Sequence, residues 1–192
     1  ANAGSSNVTV INGSDNSTAT IPAGANPIGV AVNAETNKIY VTNRTGGTVT
    51  VINGSDNTTQ TITVGASPSA IAVNPISNKV YVANQNSASV TVIDGNDNST
   101  STVATGVFPD AVAVNGLTNK VYVANINSNT VTVIDGNTNS TVTVTAGTAP
   151  HSVAVNSVTN KIYVTNGGAN GTVTVINGAD NSTTSVAVGS FP

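Results

Sequence analysis

The chain has 192 residues, of which only 7% are charged, and its formal net charge is −3. Its cations are four lysines and one arginine, so it lacks a basic stripe that could neutralise phosphates, and this excludes a nucleic-acid partner. No apolar run approaches the roughly 20 residues of a membrane span. The abundant residues are Val, Thr, Asn, Ser, Gly and Ala, which favour pleated strands and polar turns.

The chain contains neither methionine nor cysteine. The missing methionine predicts that a signal segment was removed before Ala1, although a piece excised from a longer chain gives the same observation. The missing cysteine excludes a disulfide framework and thiol catalysis. Together with the scarcity of lysine and arginine, this composition favours an extracellular or cell-surface location.

The first predicted elements are two strands, Val8–Ile11 and Ser17–Ile21, and the first of them holds a tetrapeptide that recurs along the chain. The tetrapeptide VTVI begins at Val8, Val49, Val90, Val131 and Val173, at spacings of 41, 41, 41 and 42 residues. A fixed period of this size predicts a repeat architecture, in which each unit buries its apolar faces against its neighbours.

The first complete repeat, residues 27–67, contains four predicted strands named A to D. They are Ile28–Asn33, Lys38–Asn43, Thr48–Asn53 and Thr58–Val64, in which apolar and polar residues alternate. A glycine follows Asn or Asp in every C–D turn, which predicts the positive φ of a tight hairpin. The residues before that glycine are Asn12, Asn53, Asp94, Asp135 and Asn177. We expect strand A to line a central axis and strand D to form the outer edge.

Three more repeats follow at residues 68–108, 109–149 and 150–192. Four antiparallel strands per repeat predict a β-propeller built from four-stranded antiparallel blades. Residues 1–26 form a half-blade without an A–B partner, so the chain holds four and a half blades and 18 strands. It is then a fragment of a larger propeller, a five-bladed ring with one defective blade, or a subunit whose unpaired strand edge pairs with another subunit.

The segments NKIYVTN and TVTVING, with a Gly-x-x-Pro-x-x-[VI]-A-V-N link, resemble the YVTN-type β-propeller repeat. Such repeats occur in archaeal and bacterial surface-layer and other secreted proteins, so the resemblance implies a propeller fold and a secreted context. The chain differs from that family in its few charges, its many Asn-x-Ser/Thr sites and its length, since family propellers commonly have about seven blades. Propellers host many activities, so the resemblance implies no particular function.

Most departures from the repeat lie in the B–C and D–A loops, which propellers usually place on one face, where a partner would bind. His151, the only histidine, is a ligand or base candidate, or a tolerated loop substitution. Asp110 occupies the same repeat position one blade earlier, but two residues do not make a catalytic or metal site. Phe108 and Phe191 either cap the core or form a contact patch, and Arg44 is the one cation outside the repeat.

Two repeated features, the strand B tyrosine and the C–D turn, resemble functional sites but are explained by the repeat itself. The tyrosines of strand B are predicted to pack between blades with the hydroxyl at a polar rim. They are Tyr40, Tyr81, Tyr122 and Tyr163. Asp94, Asn96 and Asn98 are spaced like the first ligands of a calcium loop, but that turn lacks the closing bidentate acid, and a hairpin explains it without metal.

The sequence also contains ten Asn-x-Ser/Thr sites, which are candidates for N-glycosylation. Five share one position at the end of the C–D turn, and they are Asn16, Asn57, Asn98, Asn139 and Asn181. The other five are Asn7, Asn12, Asn43, Asn53 and Asn170. A chain rich in Asn, Ser and Thr also generates such sites by chance, and repetition copies them.

These observations predict a non-enzymatic extracellular structural or adhesive protein, such as the self-assembling, glycosylated subunit of a surface filament or layer. Its partners would be further copies of itself, joined through strand pairing, and glycans. The alternative is a ligand-binding propeller that recognises a glycan or peptide on its variable loop face. An enzyme would need polar residues that break the repeat at the axis, and His151 and Asp110 are nearly the whole supply. No cofactor is predicted.

Overall fold

The structure is a computed structural model that describes residues 1–168 and 171–192. The described residues form 18 strands and three short 3₁₀ turns. The strands make five antiparallel sheets, one of two strands and four of four strands. The all-β class and the repeated four-stranded sheet predicted from the sequence are therefore confirmed.

We call the two-stranded sheet the half-blade and the four-stranded sheets blades 1 to 4. The half-blade consists of β1 (Asn7–Ile11) and β2 (Thr18–Pro22). Blade 1 consists of β3 (Pro27–Asn33), β4 (Lys38–Asn43), β5 (Thr48–Asn53) and β6 (Thr59–Thr63). Blade 2 consists of β7 (Pro68–Asn74), β8 (Lys79–Asn84), β9 (Ser89–Asp94) and β10 (Thr100–Ala104). Blade 3 consists of β11 (Pro109–Asn115), β12 (Lys120–Asn125), β13 (Thr130–Asp135) and β14 (Thr141–Thr145). Blade 4 consists of β15 (Pro150–Asn156), β16 (Lys161–Asn166), β17 (Thr172–Asn177) and β18 (Thr183–Ala187).

Strand order within each blade follows the chain, with every strand antiparallel to the next. In blade 1 the register places Tyr40 opposite Val51, and Val51 opposite Gln60. The first strand of each blade contacts the first strand of the following blade, so the A strands form the inner row of the molecule. The D strands lie at the opposite, outer edge of each sheet, as predicted.

The hydrophobic core lies between blades rather than inside any one of them. One cluster joins Tyr40, Val49 and Val51 of blade 1 to Val80 and Val82 of blade 2. Equivalent clusters join blade 2 to blade 3 and blade 3 to blade 4. Period-two alternation gives each sheet two apolar faces, and each face is buried only where another blade covers it.

The C–D turns differ from the predicted hairpin type. In blade 1 the amide of Asn57 donates to the carbonyl oxygen of Asn53 at 2.8 Å, and the positive φ falls on Asn57 at 60° rather than on Gly54. Gly54 is needed for a different reason, because a Cβ there would collide with the Asn37 side-chain amide. Gly95, Gly136 and Gly178 make the same close approach to an asparagine of the A–B turn, whereas Gly13 of the half-blade has open space around it. None of these five glycines has the positive φ of a tight hairpin.

The blades follow one another in a propeller-like arrangement that does not close. Within residues 1–168 and 171–192, no strand of the half-blade pairs with a strand of blade 4. The half-blade instead packs on blade 1, where Val8 and Ile21 meet Val41 and Ile52. In that same part of the chain, no helix is long and apolar enough to cross a membrane.

Candidate functional site

Each interface between two complete blades repeats the same polar contacts. Between blades 1 and 2, Asn33 Nδ2 donates to Asn78 Oδ1 at 2.8 Å, and Lys38 Nζ donates to the carbonyl oxygen of Gly95 at 2.6 Å. The equivalent pairs at the next two interfaces are Asn74–Asn119, Lys79–Gly136, Asn115–Asn160 and Lys120–Gly178. The asparagine that ends strand A and the lysine that begins strand B thus hold each blade to the turns of the next.

The strand B tyrosines fill the centre of these interfaces. Tyr40, Tyr81 and Tyr122 are 0% exposed, and their hydroxyls have no hydrogen-bond partner in the structure. Burial raises the pKa of Tyr81 to about 12, and the Asp135 carboxylate adds to the rise. Burial likewise raises the pKa of Tyr40 and of Tyr122. The prediction that strand B tyrosines pack between blades is confirmed for these three, but the prediction that their hydroxyls reach a polar rim is wrong, because the hydroxyls are buried without a partner.

Tyr163 departs from the prediction, because 41% of its surface is exposed. It lies on the free face of blade 4, where no further blade covers it. Asn156 is exposed, whereas the equivalent Asn33 is fully buried. Thr165 Oγ1 is buried without a hydrogen-bond partner, whereas the equivalent Thr42 donates to the carbonyl oxygen of Ser69 at 3.1 Å. We call the face formed by Asn156, Lys161, Tyr163 and Thr165 the donor face.

The opposite end of the blade series has the complementary deficiency. On β3, Val30 is 45% exposed and Val32 59% exposed, whereas the equivalent Ile71 and Val73 pack against the preceding blade. Gly54 is exposed, although its counterparts Gly95, Gly136 and Gly178 are buried. We call the face formed by Ile28, Val30, Val32, Asn37 and Gly54 the acceptor face.

The half-blade covers only the outer part of blade 1. It contributes C and D strands, and no described A or B strand of the half-blade covers Val30 and Val32. Ala1 and Asn2 lie where strand B ends in a complete blade, since Asn2 bridges Asn7 as Asn84 pairs with Ser89. Beyond that bridge, no described strand pairs with the inner edge of β1.

A second candidate surface lies at the end of the molecule that carries the B–C and D–A loops. Backbone hydrogen bonds join the two loop types in each blade, for example Arg44 N to the Asn26 carbonyl oxygen at 2.9 Å. This confirms that both variable loops share one face. There Arg44 Nη2 donates to Gln85 Oε1 at 2.7 Å, and Gln85 Nε2 donates to Asp110 Oδ1.

This hydrogen-bonded chain spans three blades and includes Gln85, which sequence reasoning missed. The signal that could have found Gln85 is its departure from the repeat at the position after strand B, which is the position of Arg44. His151 does not extend the chain within the described residues and instead lies close to Gly167. His151 and Asp110, which were partner-face candidates in the sequence, thus have separate surroundings.

The two phenylalanines of the D–A loops differ in exposure. Phe108 is half-buried and Phe191 is 74% exposed. Both have positive φ, 60° and 51°, at a position held by Asn26 in the first D–A loop. Phe191 adds exposed apolar surface beside blade 4. Phe108 is more covered than Phe191, which fits the predicted capping role better than the predicted contact patch.

The ten candidate glycosylation sites have very different surroundings. Asn43 is fully buried, and its Nδ2 donates to Thr48 and Thr50, so it cannot accept a glycan in the folded chain. Asn7 is half-buried and its Nδ2 donates to the Ser5 carbonyl oxygen. Asn12 and Asn53 are exposed. Asn170 lies outside the described residues.

The five equivalent turn asparagines are not equally accessible, contrary to the sequence expectation. Asn16 and Asn57 are exposed, whereas Asn98, Asn139 and Asn181 are half-buried against the preceding blade. The Nδ2 of Asn98 donates to Gln60 Oε1 at 2.7 Å, which occupies the atom that a glycan would need. All five have positive φ, between 58° and 63°.

The carboxylates of the C–D turns serve the turns themselves. Asp56 Oδ1 accepts hydrogen bonds from the backbone and hydroxyl of Thr58, which hold the pKa of Asp56 below its usual range. In the turn that resembles a calcium loop, Asp94 Oδ1 accepts from both the backbone and side-chain nitrogens of Asn96. The described part of the chain has no group of three or more His, Cys, Asp or Glu that could hold a metal ion.

No protein-family model matches the chain, and no curated protein sequence matches it. Solved structures do match. The Kuenenia stuttgartiensis hydrazine synthase has a TM-score of 0.79 at 20% identity, over 85% of this chain and 49% of that one. A functionally unknown protein from Desulfotomaculum acetoxidans DSM 771 has a TM-score of 0.77 at 14% identity, over 95% and 62%. A chain of a nidogen/laminin complex has a TM-score of 0.72 at 12% identity, over 98% and 77%.

The chain therefore spans about half of the first matched structure and less than two thirds of the second. At these identities the likeness shows the fold alone. That fold is a series of repeated four-stranded antiparallel sheets in a propeller-like arrangement.

Proposed function

We propose that the chain is a non-enzymatic structural module that associates with further copies of itself at the cell exterior. The exposure of Tyr163 carries the proposal, because its three equivalents are fully buried at interfaces between blades. An apolar face of this kind is normally covered in a soluble repeat protein, either by a polar capping repeat or by a partner. Within the described residues, no capping repeat covers Tyr163.

The YVTN-type propeller remains our proposal for the family and for the closed form of the fold. The recurring NK-[IV]-Y-V-[TA]-N segments and the inner row of A strands support it. Few polar residues depart from the repeat, and this supports a non-enzymatic role. The main cluster of such residues is Arg44, Gln85 and Asp110, and their side chains are hydrogen-bonded in series. A structural role needs no further chemistry.

Sedimentation velocity over a range of protein concentrations, combined with negative-stain electron microscopy, tests the proposal. We expect larger species to grow with concentration, and Tyr163→Ser to reduce them. Val142→Ser is the matched control, because Val142 is an exposed apolar residue of β14, the outer strand of blade 3, and not of the donor face. A native chain that remains monomeric at every concentration would show that the function lies elsewhere.

Glycans on a secreted surface are part of the same proposal, and accessibility ranks the sites. We expect occupancy at Asn16 and Asn57, which are exposed at hairpin turns, and none at the buried Asn43. Glycopeptide mapping of material from the native source tests this ranking. An intact mass equal to that of the bare chain would remove the glycans from the proposal and leave the self-association untouched.

A ligand-binding role on the loop face is the second candidate. A concavity of about 520 Å³ beside Arg44 is lined by Asn26, Gly46, Gly47 and Ser67, among others. Arg44 gives that concavity a positive charge next to neutral hydrogen-bonding groups, which suits an acidic glycan or peptide. Screening an acidic glycan array with the native chain and Arg44→Gln tests this role, and binding that Arg44→Gln abolishes would favour it over a purely structural one.

A further inference from the structure

The two ends of the blade series carry the separated halves of one interface. The donor face holds an asparagine amide, a lysine ammonium and a threonine hydroxyl that make no hydrogen bond to a neighbouring blade in the described structure. The acceptor face holds the corresponding acceptors: Asn37 Oδ1, the Gly54 carbonyl oxygen and the Ile28 carbonyl oxygen. The asparagine and lysine donors meet their acceptors at all three internal interfaces, and the threonine hydroxyl does so between blades 1 and 2.

The hydrogen bonds of blades 1 and 2 define what the pairing would be. Asn33 to Asn78 corresponds to Asn156 to Asn37, and Lys38 to Gly95 corresponds to Lys161 to Gly54. Thr42 to the Ser69 carbonyl oxygen corresponds to Thr165 to the Ile28 carbonyl oxygen. Blades 2 and 3 have alanine at this threonine position, so the hydroxyl recurs only in blade 1 and in the blade with the free face.

The half-blade stands in the way of this pairing. A blade docked on the acceptor face in the internal manner would place its C and D strands over Val41 and Ile52, where Val8 and Ile21 now lie. The half-blade provides the same two strands without the A and B strands. It therefore covers the apolar residues of the outer part of blade 1 and leaves Val30, Val32 and the three acceptors uncovered.

We propose that the half-blade is a displaceable cap, and that the donor face of a second copy replaces it on the acceptor face. This inference rests on the self-association proposed above and specifies its interface. The incoming blade 4 supplies the C–D contacts that the half-blade gave and adds the A–B contacts that it lacked. The joined copies then continue one blade series through an interface of the internal kind.

The second copy is the occupant because both halves of the interface belong to the same chain. The single charge on the donor face, Lys161, would donate to a carbonyl oxygen of the second copy, as Lys38, Lys79 and Lys120 donate to the next blade, and its nearby opposite charge is Asp180 of its own blade. Burial of Tyr163 against the acceptor face repeats the burial of Tyr40 against blade 2. No unrelated partner would need all of these groups at once.

A reversible clamp on the cap tests the proposal in the full chain. Val8→Cys with Val41→Cys introduces the only two thiols of the chain into one buried cluster, and the loss of both free thiols on oxidation verifies that a disulfide fixes the half-blade to blade 1. Ile21→Cys with Ile52→Cys provides an independent clamp at the same interface. We expect the oxidised protein to sediment as a monomer and the reduced protein to associate as the native chain does.

Thr9→Cys with Thr20→Cys is the matched control, because these exposed residues are cross-strand partners within the half-blade. Its disulfide joins β1 to β2 without tethering either strand to blade 1, so oxidation should leave association intact. If the clamped protein associates as well as its reduced form, the cap stays in place during assembly and the displacement proposal is wrong, while self-association stands. If the native chain never associates, both proposals fail.

Lysine substitutions test the interface itself. Lys161→Gln should weaken association at least about tenfold, which is ~1.4 kcal/mol, and leave the monomer's melting temperature unchanged. Lys79→Gln is the control, because it removes an internal contact and should lower the melting temperature. Equal association of native and Lys161→Gln protein would overturn the pairing. If the amides of β1 and β2 lose protection while the protein is still a monomer, the donor face has displaced the half-blade within one chain. That result would overturn the assignment of a second copy.

Discussion

Positive φ values explain much of the asparagine content of this chain. Seventeen non-glycine residues of the described structure have positive φ, and eleven of them are asparagines. They fall at four repeated loop positions, one of which is the turn position shared by Asn16, Asn57, Asn98, Asn139 and Asn181. Asparagine tolerates this conformation better than most residues. Backbone geometry alone therefore accounts for the asparagine at that position, whether or not a glycan is attached.

The loop after strand B offers a direct test of this conformational requirement. Gly47 and Ala88 occupy the same position with φ values of 60° and 45°, and a Cβ on Gly47 would meet only an ordinary contact at 3.7 Å. We expect Gly47→Ala to lower the free energy of unfolding by about 1 kcal/mol, and Ala88→Gly to raise it. Urea denaturation followed by circular dichroism measures both changes.

Gly13→Ala is the control for this pair, because Gly13 has open space around it and no positive φ. It should change the free energy of unfolding by less than about 0.5 kcal/mol. Equal effects of Gly13→Ala and Gly47→Ala would mean that glycine acts through the unfolded chain and not through its loop conformation.

The buried tyrosines predict a loss of stability in alkali. The folded-state pKa of Tyr81 is about 12, above the usual tyrosine value of about 10, so the unfolded chain loses this proton first as the pH rises. The stability contributed by neutral Tyr81 is complete below pH 10 and is lost between about pH 10 and 12. Tyr81→Phe removes a hydroxyl that has no hydrogen-bond partner in the protein, so the stability of this variant should depend less on pH between about 10 and 12.

The measurement is urea denaturation of the native chain and Tyr81→Phe at pH 7 and at pH 11. We expect the variant to gain stability relative to the native chain at the higher pH, with the comparison at pH 7 as the control. An identical pH dependence for the two proteins would show that Tyr81 ionises as freely in the folded chain as in the unfolded one.

At the scale of elements, the half-blade is held by less than any complete blade. It has two strands, and its apolar contacts are Val8 and Ile21 against Val41 and Ile52. Blade 2, by contrast, is covered on both faces by buried clusters. Local opening occurs first where few buried contacts must be broken.

Hydrogen exchange on dilute monomer should therefore find the backbone amides of β1 and β2 less protected than those of β8 and β9. The C strands compare directly, because β1 and β9 share the VTVI segment and differ in the strands that flank them. Equal protection of β1 and β9 would mean that the half-blade is as firmly held as a complete blade, and it would weaken the case for a displaceable cap.

The sequence predicted the elements well because period-two alternation and fixed turn residues are local signals. The bounds of β4 and β5 agree with the predicted strands B and C, whereas β6 is shorter than the predicted strand D at both ends. The turn type was wrong, because the closeness of Gly54 to Asn37 is a contact between turns that local patterns do not contain. The exposure of Tyr163 was also missed, since a repeat pattern does not show which copy lacks a neighbour.

The candidate surfaces were predictable only where residues break the repeat. Arg44 and Asp110 were found in this way, and Gln85 could have been. Apart from Ile28 and Thr165, the donor and acceptor faces consist of residues that follow the repeat, and these residues differ from their equivalents by being uncovered. What distinguishes these residues is their position in the first or last blade of the series, and the identity of a single residue does not show that position.

At the scale of the whole molecule, association should depend on apolar burial far more than on charge. The chain carries a net charge of −3, and the proposed interface contains one lysine that meets a neutral carbonyl oxygen. Screening by salt acts on interactions between charges and has little to act on in such an interface. Excluded salts such as sulfate strengthen the burial of apolar surface.

We therefore expect the association constant to stay nearly unchanged between low and moderate sodium chloride, and to rise in ammonium sulfate at the same ionic strength. Sedimentation equilibrium of the native chain in the two salts measures this, with Tyr163→Ser as the control for apolar burial at the donor face. Tyr163→Ser should respond less to sulfate, because its interface buries less apolar surface. Association that weakens steeply with sodium chloride would instead point to charged groups, and Arg44, Asp110 and the loop face would then replace the two blade ends as the contact surface.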